Sequence, residues 1–213
     1  MAQGLTPLPL VIASGNAGKI REFALLLAEL PLDIRRQPEG LEVEETGATF
    51  AENARLKAVA VAQASGCWAL ADDSGLSVTA LNGAPGVQSA RYAETDAARI
   101  ARLLRELKAA NQRRTNVGLP EDRTAHFTAA LAVADPAGTI RLEVEGHCPG
   151  VILDEPRGEG GFGYDPVFLV PELGLSFAEM DKATKAAIGH RGRAFALLEP
   201  RLRQLLEGEP SGD

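Results

Sequence analysis

Asp72-Asp73-Ser74-Gly75 packs two carboxylates and a hydroxyl into four residues, directly after the short apolar run Cys67–Ala71. Carboxylates at the carboxyl end of a strand stand where α/β proteins place their sites. Their oxygens suit a hard divalent cation such as Mg²⁺, shared with phosphate oxygens of a bound molecule. One of them can also orient or deprotonate a water. The same four residues make an ordinary turn as well, with Asp and Ser bonded to the backbone. Glu44 and Glu45 supply further acids ahead of a helix carrying Asn53 and Lys57, four apart and so on one face. An amide and an ammonium beside acids can hold a nucleotide and its metal; a capped surface helix with routine charge pairs needs the same residues.

Ser14-Gly15-Asn16-Ala17-Gly18-Lys19 is a second polar cluster. Glycines let backbone N–H groups converge, a helix start adds positive potential, and Lys19 adds a charge, so the loop can grip an anion. It is not a P-loop, because Gly15 and Gly18 are too close together and Ile20 follows Lys19. An ordinary strand–helix turn with an exposed lysine is the competing reading. Residues 157–165 read RGEGGFGYD. Flexible backbone around Phe162, Gly163, Tyr164 and Asp165 suits a flat base that must stack and hydrogen-bond, although the rings can equally plug the core. Lys185, His190 and Arg191 form a late cationic set. Arginine makes forked bonds to a carbonyl or phosphate, and histidine can donate and accept at once. A solvated helix terminus with dipole-favoured cations is the alternative. His126 and His147 have no partner spacing and read as structural.

The elements that must carry these clusters can be read from the pattern. Leu8–Ala13 is a short, branched apolar strand, followed by the polar loop and a helix whose face is Ile20, Phe23, Ala24 and Leu27. Ile34 marks a second short strand. Thr49 and Glu52 make a capping box, opening a helix that stops at Gly66. Cys67–Ala71 is a third strand ending at Asp72, with a separate apolar piece from Leu76 to Leu81 and a turn over residues 82–86. Thr95 or Glu94 caps a helix with the face Ile100, Leu103, Leu104 and Leu107, and residues 109–124 are expected to form an irregular surface excursion. Thr124–Val133 and Thr139–Gly146 form a hairpin around Asp135-Pro-Ala-Gly138. Residues 165–170 suit another strand, and helices close the chain, with Pro200 expected to kink or divide the last one. The pattern predicts an α/β protein with a mixed central sheet flanked by helices, as one domain over residues 1–207 with a frayed tail at 208–213.

Composition narrows the partners. A net charge of -7 disfavours a broad grip on a nucleic-acid polymer. Two cysteines, Cys67 and Cys148, make neither a metal spacing nor a disulfide framework, which points to a reduced, cytoplasmic setting. There is no signal-peptide pattern and no apolar stretch of membrane-spanning length.

Taken in order, five blocks resemble the Ham1/RdgB-type inosine triphosphate pyrophosphatase family: SGNAGKIREF at 14–23, EETGATFAENARLKA at 44–58, ADDSGLSVTALNGAPGVQSARYA at 71–93, GGFGYDPVF at 160–168 and KAAIGHR at 185–191. The resemblance spans nearly the whole chain. It implies two lobes around a deep nucleotide cleft, a homodimer, and Mg²⁺-dependent hydrolysis of ITP, dITP and XTP between the α and β phosphates. It further implies that Ser14 to Lys19 hold the triphosphate, that Glu45 and Asp73 are metal carboxylates with Asp73 the base, and that Lys57 reaches phosphate and Ser74 the substrate. Phe162, Gly163, Tyr164 and Asp165 would frame the base, and Lys185, His190 and Arg191 would complete the pocket. Ser14 stands where the family often has Thr, and Gly189 where it often has Ser. Two other readings compete: a Maf-like nucleotide pyrophosphatase acting on pyrimidine or standard triphosphates, and a nucleotide sensor without turnover. The GFGYD and HR blocks argue against the first, and the carboxylates Glu45 and Asp73 against the second.

Overall fold

The opening apolar run forms strand β1 (Leu8–Ala13), buried over its last four residues. The computed structural model describes residues 7–208. Helix α1 (Ala17–Leu26) follows, capped by Asn16, whose side-chain oxygen accepts from the Gly18 and Lys19 N–H groups. Such a cap satisfies donors that a first helical turn leaves without partners. Strand β2 (Leu32–Arg36) pairs parallel with β1. Helix α2 (Phe50–Ser65) opens on the Thr49/Glu52 capping box and ends at Gly66 in the left-handed conformation, both as the sequence pattern predicts.

Strand β3 departs from expectation. It runs unbroken from Trp68 to Val78, so Asp72-Asp73-Ser74-Gly75 lies within a strand and is not a turn at its end. A strand can carry two buried acids only where each finds a partner, and both do. Helix α3 (Asp96–Asn116), capped by Thr95, also runs further than its first apolar turns indicate. Ala110 and Asn111 continue the buried face of Ile100, Leu103 and Leu107, while Gln112, Arg113, Thr115 and Asn116 take the exposed side. The irregular connection therefore shrinks to 117–123.

Strands β4 (Thr124–Ala134) and β5 (Ile140–Ile152) make the expected hairpin, closed by Asp135 N–H to Thr139 O at 3.0 Å. β5 runs on past Gly146 to Ile152. Residues 165–167 form a single 3₁₀ turn, so only Phe168–Val170 of the expected strand is extended, as β6. A two-residue strand β7 (Leu175–Ser176) follows, then helix α4 (Lys182–Ile188) and helix α5 (His190–Gly208). Pro200 sits inside α5 without dividing it. Gly208 is the last residue of α5, and the rest of the expected tail lies outside the described residues.

The sheet order is β2-β1-β3-β4-β5-β6-β7. β1 is parallel to β2 and β3, whereas β6 is antiparallel to β5 and β7. This is the mixed α/β sheet the sequence predicts. The chain divides into two compact units. The first holds residues up to Asp73, Ala129–Gly146 and the segment from Gly192 on. It has two apolar clusters, one joining Leu10, Ile12, Leu70, Phe23 and Leu198 and the other joining Val11, Ala69, Ala71, Ala54 and Ala58. The second holds Ser74–Thr128 and His147–Arg191, around Leu76, Leu103, Phe127, Phe168 and Phe177. No helix among the described residues is long and apolar enough to cross a membrane.

Candidate active site

Alternation along β3 sends neighbouring side chains to opposite faces. Leu70 joins the apolar cluster of α1, so Asp72, two residues on, comes out on the α1 side. There Lys19 Nζ lies 2.7 Å from Asp72 Oδ2. Ala71 packs with Ala54 and Ala58 of α2, so Asp73 comes out on the α2 side. There Asn53 Nδ2 donates to Asp73 Oδ2 at 3.1 Å and Lys57 Nζ to Asp73 Oδ1 at 2.9 Å. The same Lys57 ammonium donates to Glu45 Oε1 at 2.7 Å. Of the two glutamates before α2, Glu44 is exposed and Glu45 is the one turned inward. Asn53 fixes the approach of that segment by accepting the Gly47 N–H at 2.7 Å. A Cβ on Gly47 would meet Glu52 Cβ at 2.6 Å, so only glycine lets the acidic loop come this close to α2.

Asp72 and Asp73 are 3% and 6% exposed and Asn53 is fully buried, so this cluster is not a solvated helix face. Burial pushes the Asp73 carboxyl above the ordinary carboxylate range, outweighing the pull of Lys57 and Lys19. Burial alone would lower the Lys57 ammonium, but Asp73 and Glu45 together outweigh it and hold the group higher than usual. Lys19 is likewise no exposed lysine: its side chain is 15% exposed and reaches back to β3.

The loop Ser14 to Lys19 keeps some of its donors for itself. Ser14 Oγ accepts the Asn16 N–H, and Asn16 Oδ1 accepts those of Gly18 and Lys19. Gly15 and Ala17, beside the cap at the start of α1, are exposed residues. Acidic ligands come from this unit as a pair of carboxylates, Glu45 and Asp73, already joined by one cation. An all-oxygen, anionic pair of this kind fits Mg²⁺, which binds through one or two carboxylates plus phosphate oxygens and waters. No group of three or more His, Cys, Asp or Glu placed to hold a metal ion exists among the described residues.

The aromatic and cationic residues come together in the second unit. Asp165 Oδ2 accepts from Lys185 Nζ at 2.6 Å and from the Phe162 N–H at 2.8 Å. The Phe162 ring then lies 4.9 Å from Lys185 Nζ and 5.6 Å from Arg191 Cζ, within cation–π range. Arg191 Nη2 donates to Ser74 Oγ at 2.6 Å. His190 stacks on Phe127, ring centroids 4.7 Å apart and 13° from parallel. Tyr164 packs into the core of this unit, its hydroxyl donating to Ser89 O at 2.9 Å; burial pushes its pKa up. Phe162 is the ring of the loop that stays half-exposed.

Two observations remove the bland reading of the late cations. Lys185 does sit in the last turn of α4, where the dipole favours it, but it is tied to Asp165. His190 and Arg191 stand in the first turn of α5, only 4% and 6% exposed. A buried arginine at the positive end of a helix is disfavoured by its dipole, so the dipole does not account for Arg191 at this position.

Asn53, already a candidate in the sequence, and Gly47, which was not, position the acids. The signal for Asn53 was its four-residue spacing to Lys57. Gly47 carried none, because its role depends on the approach of two segments.

The fold and these clusters define a mixed-sheet α/β protein with a buried carboxylate–lysine centre and an aromatic–cation loop. The Ham1 family model matches residues 10–201, and the chain belongs to that family. It is 60% identical to a dITP/XTP pyrophosphatase of Parasynechococcus marenigrum over 201 residues, which are 94% of this chain and 98% of the relative. It is 61% identical to a dITP/XTP pyrophosphatase of Prochlorococcus marinus, covering 95% of each. Among solved structures, a HAM1 protein from Coxiella burnetii matches with a TM-score of 0.83 at 43% identity, over 92% of this chain and 99% of that one. The Staphylococcus aureus Ham1 protein matches with a TM-score of 0.78 at 39% identity, with the same coverage.

Proposed function

We propose that this chain hydrolyses non-standard purine nucleoside triphosphates (ITP, dITP and XTP) to the monophosphate and pyrophosphate, clearing them from the nucleotide pool. The observation that carries this is the meeting of Glu45, Lys57 and Asp73 around one cation, in a chain whose relatives at about 60% identity are dITP/XTP pyrophosphatases.

In this reading Asp73 is the general base. Its raised pKa makes the carboxylate a stronger proton acceptor than an exposed one, and Asn53 and Lys57 fix both of its oxygens. It takes a proton from a water as the water oxygen bonds to the α-phosphorus, and the bond from that phosphorus to the departing pyrophosphate breaks. Glu45 and Asp73 would hold Mg²⁺, which neutralises charge on the phosphate oxygens. Lys57, Lys19 and the Ser14–Lys19 loop take the triphosphate, through ammonium groups and the start of α1.

Ser74, Phe162 to Asp165, Lys185, His190 and Arg191 take the base. Hypoxanthine and xanthine present a 6-oxo acceptor to a guanidinium, whereas adenine presents an amine there. A buried donor left facing that amine loses its partner, at a cost of about 1–3 kcal/mol. Guanine shares the 6-oxo group, and its 2-amine is the feature left to exclude it.

Chromatography of a dITP digest tests the proposal: dIMP and pyrophosphate are expected with Mg²⁺ and nothing with EDTA. dIDP and orthophosphate as the main products would overturn it, and faster hydrolysis of dTTP than of dITP would favour the Maf-like reading. The family resemblance also supports a homodimer, and the two cysteines a reduced, cytoplasmic setting. Sedimentation showing only a 22.5 kDa species would sink the dimer.

A further inference from the structure

Asp96 belongs to none of the clusters above. It is the first residue of α3, directly after the cap Thr95. Its Oδ2 accepts the N–H of Gly163, 67 residues further along the chain, at 2.8 Å. Its Oδ1 accepts from Arg99 Nη1 at 2.6 Å, and Arg99 Nε donates in turn to Ala93 O at 2.9 Å. The carboxylate is thus held from its own helix, with one oxygen left for the loop.

That bond falls at the critical place in the loop. Phe162, Gly163 and Tyr164 are each tied to a different part of the unit: Phe162 N–H to Asp165, Gly163 N–H to Asp96 and the Tyr164 hydroxyl to Ser89 O. Gly163 lies in the left-handed region, φ +62°, outside any strand ladder, and its amide is held by Asp96. Asp165 and Asp96 therefore clamp two consecutive amides, and the Phe162 ring is carried between them. This ring is the one beside Arg191 and Lys185.

We propose that Asp96 is a positioning residue for purine selection: it acts through the Gly163 amide to hold the Phe162 ring against the base. The inference rests on the assignment of Phe162 and Arg191 to the base in the proposed function. Loss of one charged hydrogen bond predicts that Asp96→Ala raises KM for dITP by on the order of tenfold. kcat should stay near wild type, because nothing at Asp73 changes. Discrimination between dITP and dATP should narrow, and exchange of the Gly163 amide should accelerate. Thr95→Ala is the control. It removes the cap on the Ala98 N–H and should lower the melting temperature while leaving KM and Gly163 exchange unchanged. If the Ala variant fails to fold, Asp96→Ser keeps a polar first turn without the reach to Gly163, and the same changes are expected. An Asp96 variant with wild-type KM and discrimination, or with unchanged Gly163 exchange, overturns the proposal, as does a fall in kcat with KM unaltered. A wild-type chain that binds dIMP but does not hydrolyse dITP would sink the proposed activity instead. The effect of Asp96→Ala on dIMP affinity would then decide this inference: tenfold weaker binding supports it and equal binding overturns it.

Discussion

The Lys57 ammonium lies 2.9 Å from the Asp73 carboxylate and 2.7 Å from that of Glu45. One side chain thus bridges the two acids proposed for the metal, and it does so from within α2, in the same turn-to-turn register as Asn53.

Replacing Lys57 by Met keeps the apolar stem and removes the charge. Two largely buried carboxylates then lose the cation that bridges them. Metal-free K57M should lose on the order of 3 kcal/mol of stability. Added Mg²⁺ should raise its melting temperature more than it raises that of wild type, because the ion would supply the missing charge. Thermal melts with EDTA and with Mg²⁺ check this, and equal Mg²⁺ shifts in the two proteins would argue against a metal at Glu45 and Asp73.

Asp73→Asn should reduce kcat for dITP at saturating Mg²⁺ by roughly 10²–10⁴-fold, the usual worth of a general base, in a protein that still folds. The pH argument has a definite sign. Burial raises the folded-state pKa of Asp73 above the unfolded one. Its contribution to stability is then full below the unfolded value and is lost as pH rises through the folded value. Metal-free D73N should therefore melt no lower than wild type at neutral pH, and its stability should vary less across the window just above the ordinary carboxylate range. A variant keeping more than about a tenth of wild-type kcat, well outside the general-base range, would move the role to Asp72 or Glu45.

Arg191→Ala should raise KM for ITP by about 10–100-fold, the worth of a charge-assisted bond, and erode selection against ATP. Arg191 touches Ser74 and the Phe162 ring from a buried helix start, so the loss should show in substrate handling first. Steady-state kinetics with both nucleotides, beside a melt, separate this from a stability effect. Wild-type kinetics would make Arg191 a packing residue.

Gly161→Ala tests the shape of the base loop. Gly161 has φ +75°, and a Cβ there would collide with Asp165 Oδ2. The side chain that holds Phe162 and Lys185 would have to move. KM for dITP should rise and the melting temperature fall, read by the same two assays, whereas Gly163→Ala, which meets nothing within 4 Å, should show backbone strain without that displacement.

Much of this was legible in the chain itself. β1, α1 and α2 follow from apolar periodicity, and α2 also from its signals at Thr49 and Gly66, because these signals lie within a few residues of the structure they specify. The acids, the lysines and the glycine–aromatic loop were visible as residue types at short spacing. The break predicted at Asp72 was not observed. Consecutive carboxylates look like a strand's end until their partners are known, and those partners, Lys19 and Lys57, lie 53 and 16 residues away. The early end predicted for α3 has the same origin: Ala110 and Asn111 read as polar surroundings until the helix face that buries them is in place.

The sequence by itself therefore determined which groups are present and which local elements carry them, since helix caps, strand alternation and charge are properties of neighbours in the chain. Only the tertiary structure decided which acid meets which lysine, that His190 and Arg191 are buried at a helix's positive end, and that Asp96 holds an amide 67 residues away. Those outcomes depend on desolvation and on contacts between distant segments, and both come into being only when the chain has folded.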